Sequence, residues 1–258
     1  MNNDFKLTRR GLLARALAGA CAIALSGCDK LSESTLFSKI LGTGEKATRI
    51  AQKLVVPRMA MAQEFTEADL SPQFRSNGTS TPRNPAYIAM ADKGFSDYRL
   101  AVGGQVERPT SFSLADIHAL PSRTQITRHD CVEGWSVIGK WKGVRLGTLL
   151  EIVHPKPTVR YVVFQCADPM DVDVSSLYYE SIDMDDAFHP QTILAYELND
   201  EQLPIRNGAP LRLRVERQLG YKMAKYVMRI ELVEDFSGIA GGKGGYWEDR
   251  GFQWYAGI

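Results

Sequence analysis

Alternation rather than helical period dominates the chain beyond residue 98. Tyr98–Val106 alternates around a glycine bend. Leu211-Arg-Leu-Arg-Val215 alternates cleanly, so Arg212 and Arg214 share one face and the aliphatic residues the other. β-Rich runs at Thr124–Cys131, Arg160–Cys166, Thr192–Leu198 and Tyr226–Glu234 predict further strands. Helical signals are fewer. Ser113-Leu-Ala-Asp116 reads as a capping-box start for a short helix to Leu120, which Pro121 stops. Leu146, Leu149, Leu150 and Val153 fall on one face, which predicts a helix over Leu146–Val153. Ser175–Phe188 reads as a helix with polar ends, and Trp141-Lys-Gly-Val as a turn. Strands outnumber helices and crossovers are short, so the fold class is α+β with antiparallel or mixed sheets.

Upstream the pattern weakens. Lys46–Met61 suits a short amphipathic helix ended near Pro57, and Ser71–Pro85 is loop-like in Ser, Thr, Asn, Gly and Pro. Residues 29–80 read as a tether and 81–258 as one domain, whose compact part begins near Tyr98. Residues 1–28 read as an address. The apolar run Ala16–Leu25 is too short to cross a hydrocarbon core of roughly 30 Å. Thr8-Arg-Arg-Gly-Leu-Leu13 resembles a twin-arginine signal, the route for proteins exported already folded. Leu25-Ser-Gly-Cys28 resembles a lipobox, which makes Cys28 the lipidation site, and Asp29 resembles an inner-membrane retention signal. The plainer alternative is a cleaved signal with a chance cysteine. The first reading predicts a periplasmic protein held to the inner membrane only by lipid.

Composition changes this picture little. With 258 residues, 44% hydrophobic and 24% charged, the chain can bury one large core, and a net charge of +1 supplies no global field for nucleic acid. Its four cysteines form no C-x-x-C or C-x-x-C-H motif, which leaves zinc knuckles and covalent haem without support.

The chemistry concentrates in two stretches. Thr127-Arg-His-Asp-Cys-Val-Glu-Gly-Trp-Ser136 is too polar for a plain core strand. A strand delivers Cys131 to a loop beside His129, Asp130 and Glu133, where a thiolate serves as soft ligand or nucleophile. A buried free cysteine, or a disulfide with Cys166, is the bland alternative. Downstream, Arg212, Arg214, Arg217, Lys222, Lys225 and Arg229 face one acid, Glu216, and Gly220 offers close backbone approach. That excess suits a phosphate-like anion or, more simply, a solvated basic face. The tail from Gly241 to Tyr255 sets glycines before four aromatics, as a docked cover or as a surface for an electron partner.

Taken together, Cys131-Val-Glu-Gly-Trp-Ser, His189-Pro, Leu203-Pro, Asn207-Gly-Ala-Pro-Leu-Arg212 and Gly220-Tyr-Lys-Met-Ala-Lys225 resemble the sulfite oxidase family of molybdenum enzymes. The resemblance runs from about Asn84 to Ile258 and is closest to the bacterial periplasmic branch that reduces protein methionine sulfoxide. It implies a sulfite-oxidase-type α+β fold in a single catalytic domain and a Mo-molybdopterin cofactor with Cys131 as the metal's protein ligand. It further implies cofactor contacts from Asn84, Tyr87, Ile88, Cys166, Asn207, Arg212, Met223, Ala224 and Lys225. Ile88 stands where that branch carries glutamate, and Cys166 where it carries threonine. Val132-Glu-Gly-Trp replaces the Gly-Asn-Arg-Arg of sulfite oxidases, so Glu133 is expected at the substrate mouth, where it repels a sulfite-like dianion and favours a neutral sulfoxide. The sequence contains no haem, flavin or iron–sulfur motif, so electrons are expected from a separate partner, a membrane cytochrome b or a cytochrome c. A sulfite dehydrogenase of the same family and a non-catalytic anion- or partner-binding lipoprotein are the alternatives.

Overall fold

The computed structural model describes residues 57–171 and 176–258, together with the helical Thr43, Gly44, Ala47, Ile50 and Ala51. The signal, the lipobox with Cys28 and half of Lys46–Met61 lie outside the described residues. The compact unit runs Val56–Ile258.

Two five-stranded sheets build that unit. The first has the order β2-β1-β10-β5-β6, from Thr110–Ser113, Arg99–Gly104, Val227–Val233, Tyr161–Pro169 and Leu177–Asp183. Its β1–β10 pair is parallel and its other pairs are antiparallel. The second runs β3-β4-β7-β8, from Ser122–Asp130, Ser136–Arg145, Ile193–Leu198 and Glu201–Gln202, with β9 (Arg212–Arg214) also on β7; all its pairs are antiparallel. The α+β expectation with mixed sheets is therefore met. Four short helices complete it: α1 (Pro85–Asp92), α2 (Leu114–Ala119), α3 (Leu146–Val153) and α4 (Met184–Ala187).

Local chemistry explains the helix ends. Asn84 caps α1 by accepting from the amides of Ala86 and Tyr87, and Pro85 starts it where no amide is needed. The capping box at α2 forms as expected: Ser113 Oγ accepts from the Asp116 amide at 3.1 Å, and Asp116 accepts from the Ser113 amide at 2.8 Å. α3 buries Leu146, Leu149, Leu150 and Val153 and stops at left-handed His154, just before Pro155.

Two elements differ from expectation. Trp141-Lys-Gly-Val lies inside the ten-residue β4 and makes no turn. Gly143 is there for close approach: a Cβ would stand 2.2 Å from the Leu194 carbonyl oxygen on β7. Ser175–Phe188, expected as a helix, becomes β6 followed by α4. Leu177 to Asp183 pair along β5, and this tertiary pairing outweighs local propensity.

Residues 57–80, read as the end of a tether, lie against the domain instead. The Phe65 amide donates to the Ile126 carbonyl at 2.8 Å and that of Ser71 to Ile138 at 3.1 Å. Phe74 is buried edge-on to Trp141, ring centres 4.9 Å apart. An aromatic anchor in a Ser/Pro-rich stretch suffices to dock it, so the compact domain begins well before Tyr98.

A large core between the sheets takes Leu211, Leu213 and Val215 from the β9 strip. A smaller cluster of Phe74, Trp141, Ile193, Ala195, Leu198 and Leu203 covers the other side of the second sheet. The predicted two faces of 211–215 are real, but the arginine face is buried too. Arg214 stacks 4.4 Å and Arg212 5.3 Å from the centre of Trp141.

Candidate active site

The β3–β4 hairpin turns over Cys131–Trp135. The Gly134 amide donates to the Cys131 carbonyl at 3.0 Å and the Cys131 amide to the Trp135 carbonyl at 2.9 Å; Gly134 takes φ +83°. This tight loop holds Cys131 at the edge of a cavity of about 210 Å³. Burial pushes the thiol's pKa up, and a hydrogen bond from the Glu133 backbone pulls against it. Cys131 and Cys166 are both free thiols, so the disulfide alternative is not realised.

Polar residues of β3 face inward for a reason. Gln125 donates to Glu216 at 2.9 Å, and Arg214 donates to His129 Nδ1 at 3.0 Å. An arginine only donates, so Nδ1 is the acceptor and His129 is neutral. Burial, then the neighbouring arginines and Lys225, hold its pKa well below the usual histidine value.

The six-cation cluster does not converge. Arg214 pairs with Glu216 at 2.6 Å, Arg217 with Asp186 at 2.6 Å, and Lys222 with Glu248 at 2.5 Å and with Glu180. Arg229, half exposed, reaches Glu231 at 3.7 Å. The basic surface was a projection of the sequence alone, because the acids that answer Arg217 and Lys222 come from α4, β6 and the tail. Among the described residues, only Arg212 and Lys225 of the six form no ion pair. They sit side by side because Gly208 has no side chain; a Cβ there would meet Lys225 Cβ at 3.0 Å and Arg212 Cβ at 3.2 Å. Burial lowers the pKa of Lys225 to about 7 and that of Arg212 to about 9. An anion would relieve both.

The structure gathers Cys131, Glu133, Met223 and Lys225 around the cavity. Arg212 stands behind it, donating to Asn77 Oδ1 at 3.0 Å and to the Asn207 carbonyl at 3.1 Å, with Asn77 on the cavity wall. Ala224 is buried beside them. Tyr87 is buried and donates to the Ala209 carbonyl at 2.6 Å, bracing the turn that presents Asn207. Other expected contacts fall elsewhere: the Asn84 side chain caps α1, Ile88 is exposed, and Cys166 belongs to the main core.

At the rim, Glu133 accepts from the Trp135 indole at 2.9 Å and lies 3.9 Å from Arg75, which stacks on Trp135 at 4.7 Å. Its charge is thus counter-paired in solvent, and nothing in the linear order of residues announces that pairing.

Sequence reasoning missed Asp168, Asn77–Thr79, Tyr178, Trp247 and Phe252. Asp168 is buried, and that burial lifts its carboxyl to about 7. An acid two residues after Cys166 in an apolar run was the available signal.

A lone cysteine over a cavity, with Lys225 in its wall and Arg212 behind it and, among the described residues, neither in a salt bridge, suits a metal-bearing anionic cofactor. The fit is chemical: Asn207 Oδ1 and Nδ2, Arg212 Nε and Asp168 Oδ1 are buried polar atoms with no hydrogen-bond partner among the described residues. Such atoms call for a polar ligand, and the thiol is a soft donor. The chain belongs to the oxidoreductase molybdopterin-binding domain family, which matches residues 87–238. It is a molybdopterin-dependent oxidoreductase, which sets aside the non-catalytic alternative.

It is 34% identical over 252 residues, 96% of this chain and 87% of the other, to a protein of Azospira oryzae provisionally named protein-methionine-sulfoxide reductase subunit YedZ1. It is 39% identical over 147 residues, 54% of this chain and 46% of the other, to the protein-methionine-sulfoxide reductase catalytic subunit MsrP of Xanthomonas axonopodis pv. citri. The chain spans about half the length of the curated MsrP relatives it matches. The sulfane dehydrogenase SoxCD of Paracoccus pantotrophus aligns over 54% of this chain and 39% of its own, with TM-score 0.49 and 25% identity.

Proposed function

We propose that this chain is the catalytic subunit of a periplasmic reductase for uncharged sulfoxides. Overall, a sulfoxide takes up two electrons and two protons and leaves as the sulfide and one water, with the electrons drawn from a separate redox protein. When bound, the molybdenum cofactor supplies two-electron oxo transfer. The chain's own residues bind and orient. Cys131 would hold the metal, with the Glu133 backbone hydrogen bond favouring its thiolate. Lys225 and Arg212 would hold the terminal phosphate, and Asn207 would contact the pterin. Met170, Tyr178, Trp247 and Phe252 would keep water out.

The observation that carries this reading is the charge at the mouth. Glu133 is exposed there beside the apolar Val132, and its one cation, Arg75, is spent on it. Among the described residues lining the cavity mouth, a dianion finds no unpaired cation, whereas a neutral S=O group loses little hydration on entering. Export in folded form, the lipid anchor at Cys28 and a cytochrome b or cytochrome c partner rest on the signal-like N-terminus and on the lack of a second redox motif. They belong to the same proposal.

The test is kcat/KM of purified holoprotein for sulfite and for a neutral sulfoxide, in wild type and Glu133→Gln. Wild type should prefer the sulfoxide. Because Arg75 already screens Glu133 in solvent, the substitution should move the ratio toward sulfite only several-fold. A wild-type preference for sulfite would replace this reading with the sulfite dehydrogenase.

A further inference from the structure

The C-terminal segment beyond residue 238 lies outside the residues that match the family, yet it supplies two walls of the cavity, Trp247 and Phe252. Their rings stack 5.2 Å apart at 29°, and Phe252 meets Tyr221 edge-on at 5.3 Å. The turn between them is closed by the Phe252 amide donating to the Trp247 carbonyl at 3.0 Å, with Gly251 at φ +103°.

This segment is pinned, which a passive tail does not require. Glu248, the neighbour of Trp247, is buried against Lys222 at 2.5 Å, and Lys222 also binds Glu180 on β6. Asp249 accepts from Tyr179 at 2.5 Å and from the amides of Gly241 and Lys243. Farther on, the Leu219 amide donates to the Ala256 carbonyl at 2.9 Å. The two rings are therefore preorganised by an ion-paired clasp under the site.

Burial orders the cavity from floor to mouth. Lys225, Asp168 and Met223 are nearly inaccessible, Cys131 is 9% exposed, and Phe252 and Val132 are 37% and 49% exposed. A phosphate-bearing cofactor takes the inner, cationic end. The aromatic pair stands at the solvent end, where a second molecule must arrive.

We propose that Trp247 and Phe252 are specificity-determining residues that select organic sulfoxides bearing a sizeable apolar substituent over small or charged oxo donors. The proposal rests on the sulfoxide reading above and narrows its substrate class. Flat rings with no charge between them gain by covering apolar surface and by sulfur–aromatic contact, and they offer nothing to an anion.

Purified holoenzymes of wild type, Trp247→Ala, Phe252→Ala and Trp247→Phe would be assayed with methyl p-tolyl sulfoxide and with dimethyl sulfoxide, and their molybdenum and pterin contents measured. Selectivity in kcat/KM for the aryl over the dimethyl substrate should fall roughly ten-fold in each alanine variant, chiefly through KM, and return largely in Trp247→Phe. Cofactor content should stay at the wild-type level. Unchanged selectivity with good turnover would overturn this inference and leave the sulfoxide reading standing. Loss of cofactor from the alanine variants would also overturn it, making the rings a cofactor cover. Wild type reducing neither sulfoxide would overturn the reading and the inference together. Should Trp247→Ala not fold, the more exposed Phe252→Ala decides.

Discussion

Cys131 is the residue on which the proposed chemistry turns. Backbone hydrogen bonds within its own hairpin close the turn that carries it, so Cys131→Ser should fold normally. Exchange of a soft sulfur for a harder oxygen should remove nearly all turnover while much of the pterin is retained, because Arg212 and Lys225 are untouched. Wild-type turnover with an unchanged molybdenum EPR signal would refute the assignment. Asp168 and Lys225 make a second prediction. Burial raises the Asp168 carboxyl to about 7, so its cost to the folded state is absent in acid, grows as pH rises from about 4, and is complete above 7. Burial lowers Lys225 to about 7, so its cost is complete below 7 and fades as pH rises toward 10.5. Cofactor-free protein should therefore be least stable near neutrality, each group costing on the order of a few kcal/mol. Asp168→Asn should flatten the fall in Tm between about pH 4 and pH 7. Parallel Tm profiles for the two proteins would mean that Asp168 keeps an ordinary carboxylate pKa.

The elements matter through their close approaches. β4 and β7 touch at Gly143, where the nearest atoms are backbone and cannot move aside cheaply. Gly143→Val should cost about 3 kcal/mol or more, a drop in Tm of roughly 6 °C or more. Gly103 on β1 has open space at its Cβ position, so Gly103→Ala should lie within about 0.5 kcal/mol of wild type. Equal losses in the two variants would show that strand glycines here serve chain flexibility and not packing. α2 was readable from Ser113 and Asp116 alone, since a capping box is completed within four residues. β4 was not, because what sets Gly143 apart from a turn glycine is a carbonyl on a strand some fifty positions later.

At the scale of the whole molecule, the proposed N-terminal address would decide where this chemistry takes place. Cys28→Ala should move the protein from the membrane fraction to the soluble periplasmic fraction with its specific activity unchanged, since the domain Val56–Ile258 builds its cavity from its own residues. Intact mass showing an unmodified N-terminus at another position would refute lipidation. No helix among the described residues is long and apolar enough to cross a membrane.

What the sequence determined by itself was local or ordered along the chain. It specified the alternating faces of 211–215, the capped α2, the apolar stripe of α3, the loop that presents Cys131, and the motif series that marks the family. Each is written within a few residues or in linear spacing. Tertiary structure alone decided which charges remain available. Arg214, Arg217 and Lys222 lose their apparent freedom to Glu216, Asp186, Glu180 and Glu248, while Arg212 and Lys225 keep theirs around Gly208. It also drew Asn77–Thr79 and Trp247–Phe252 from opposite ends of the domain onto one cavity. Charge pairing and cavity shape depend on distances in space, and residues far apart in a chain carry no mark of the neighbours that folding will give them.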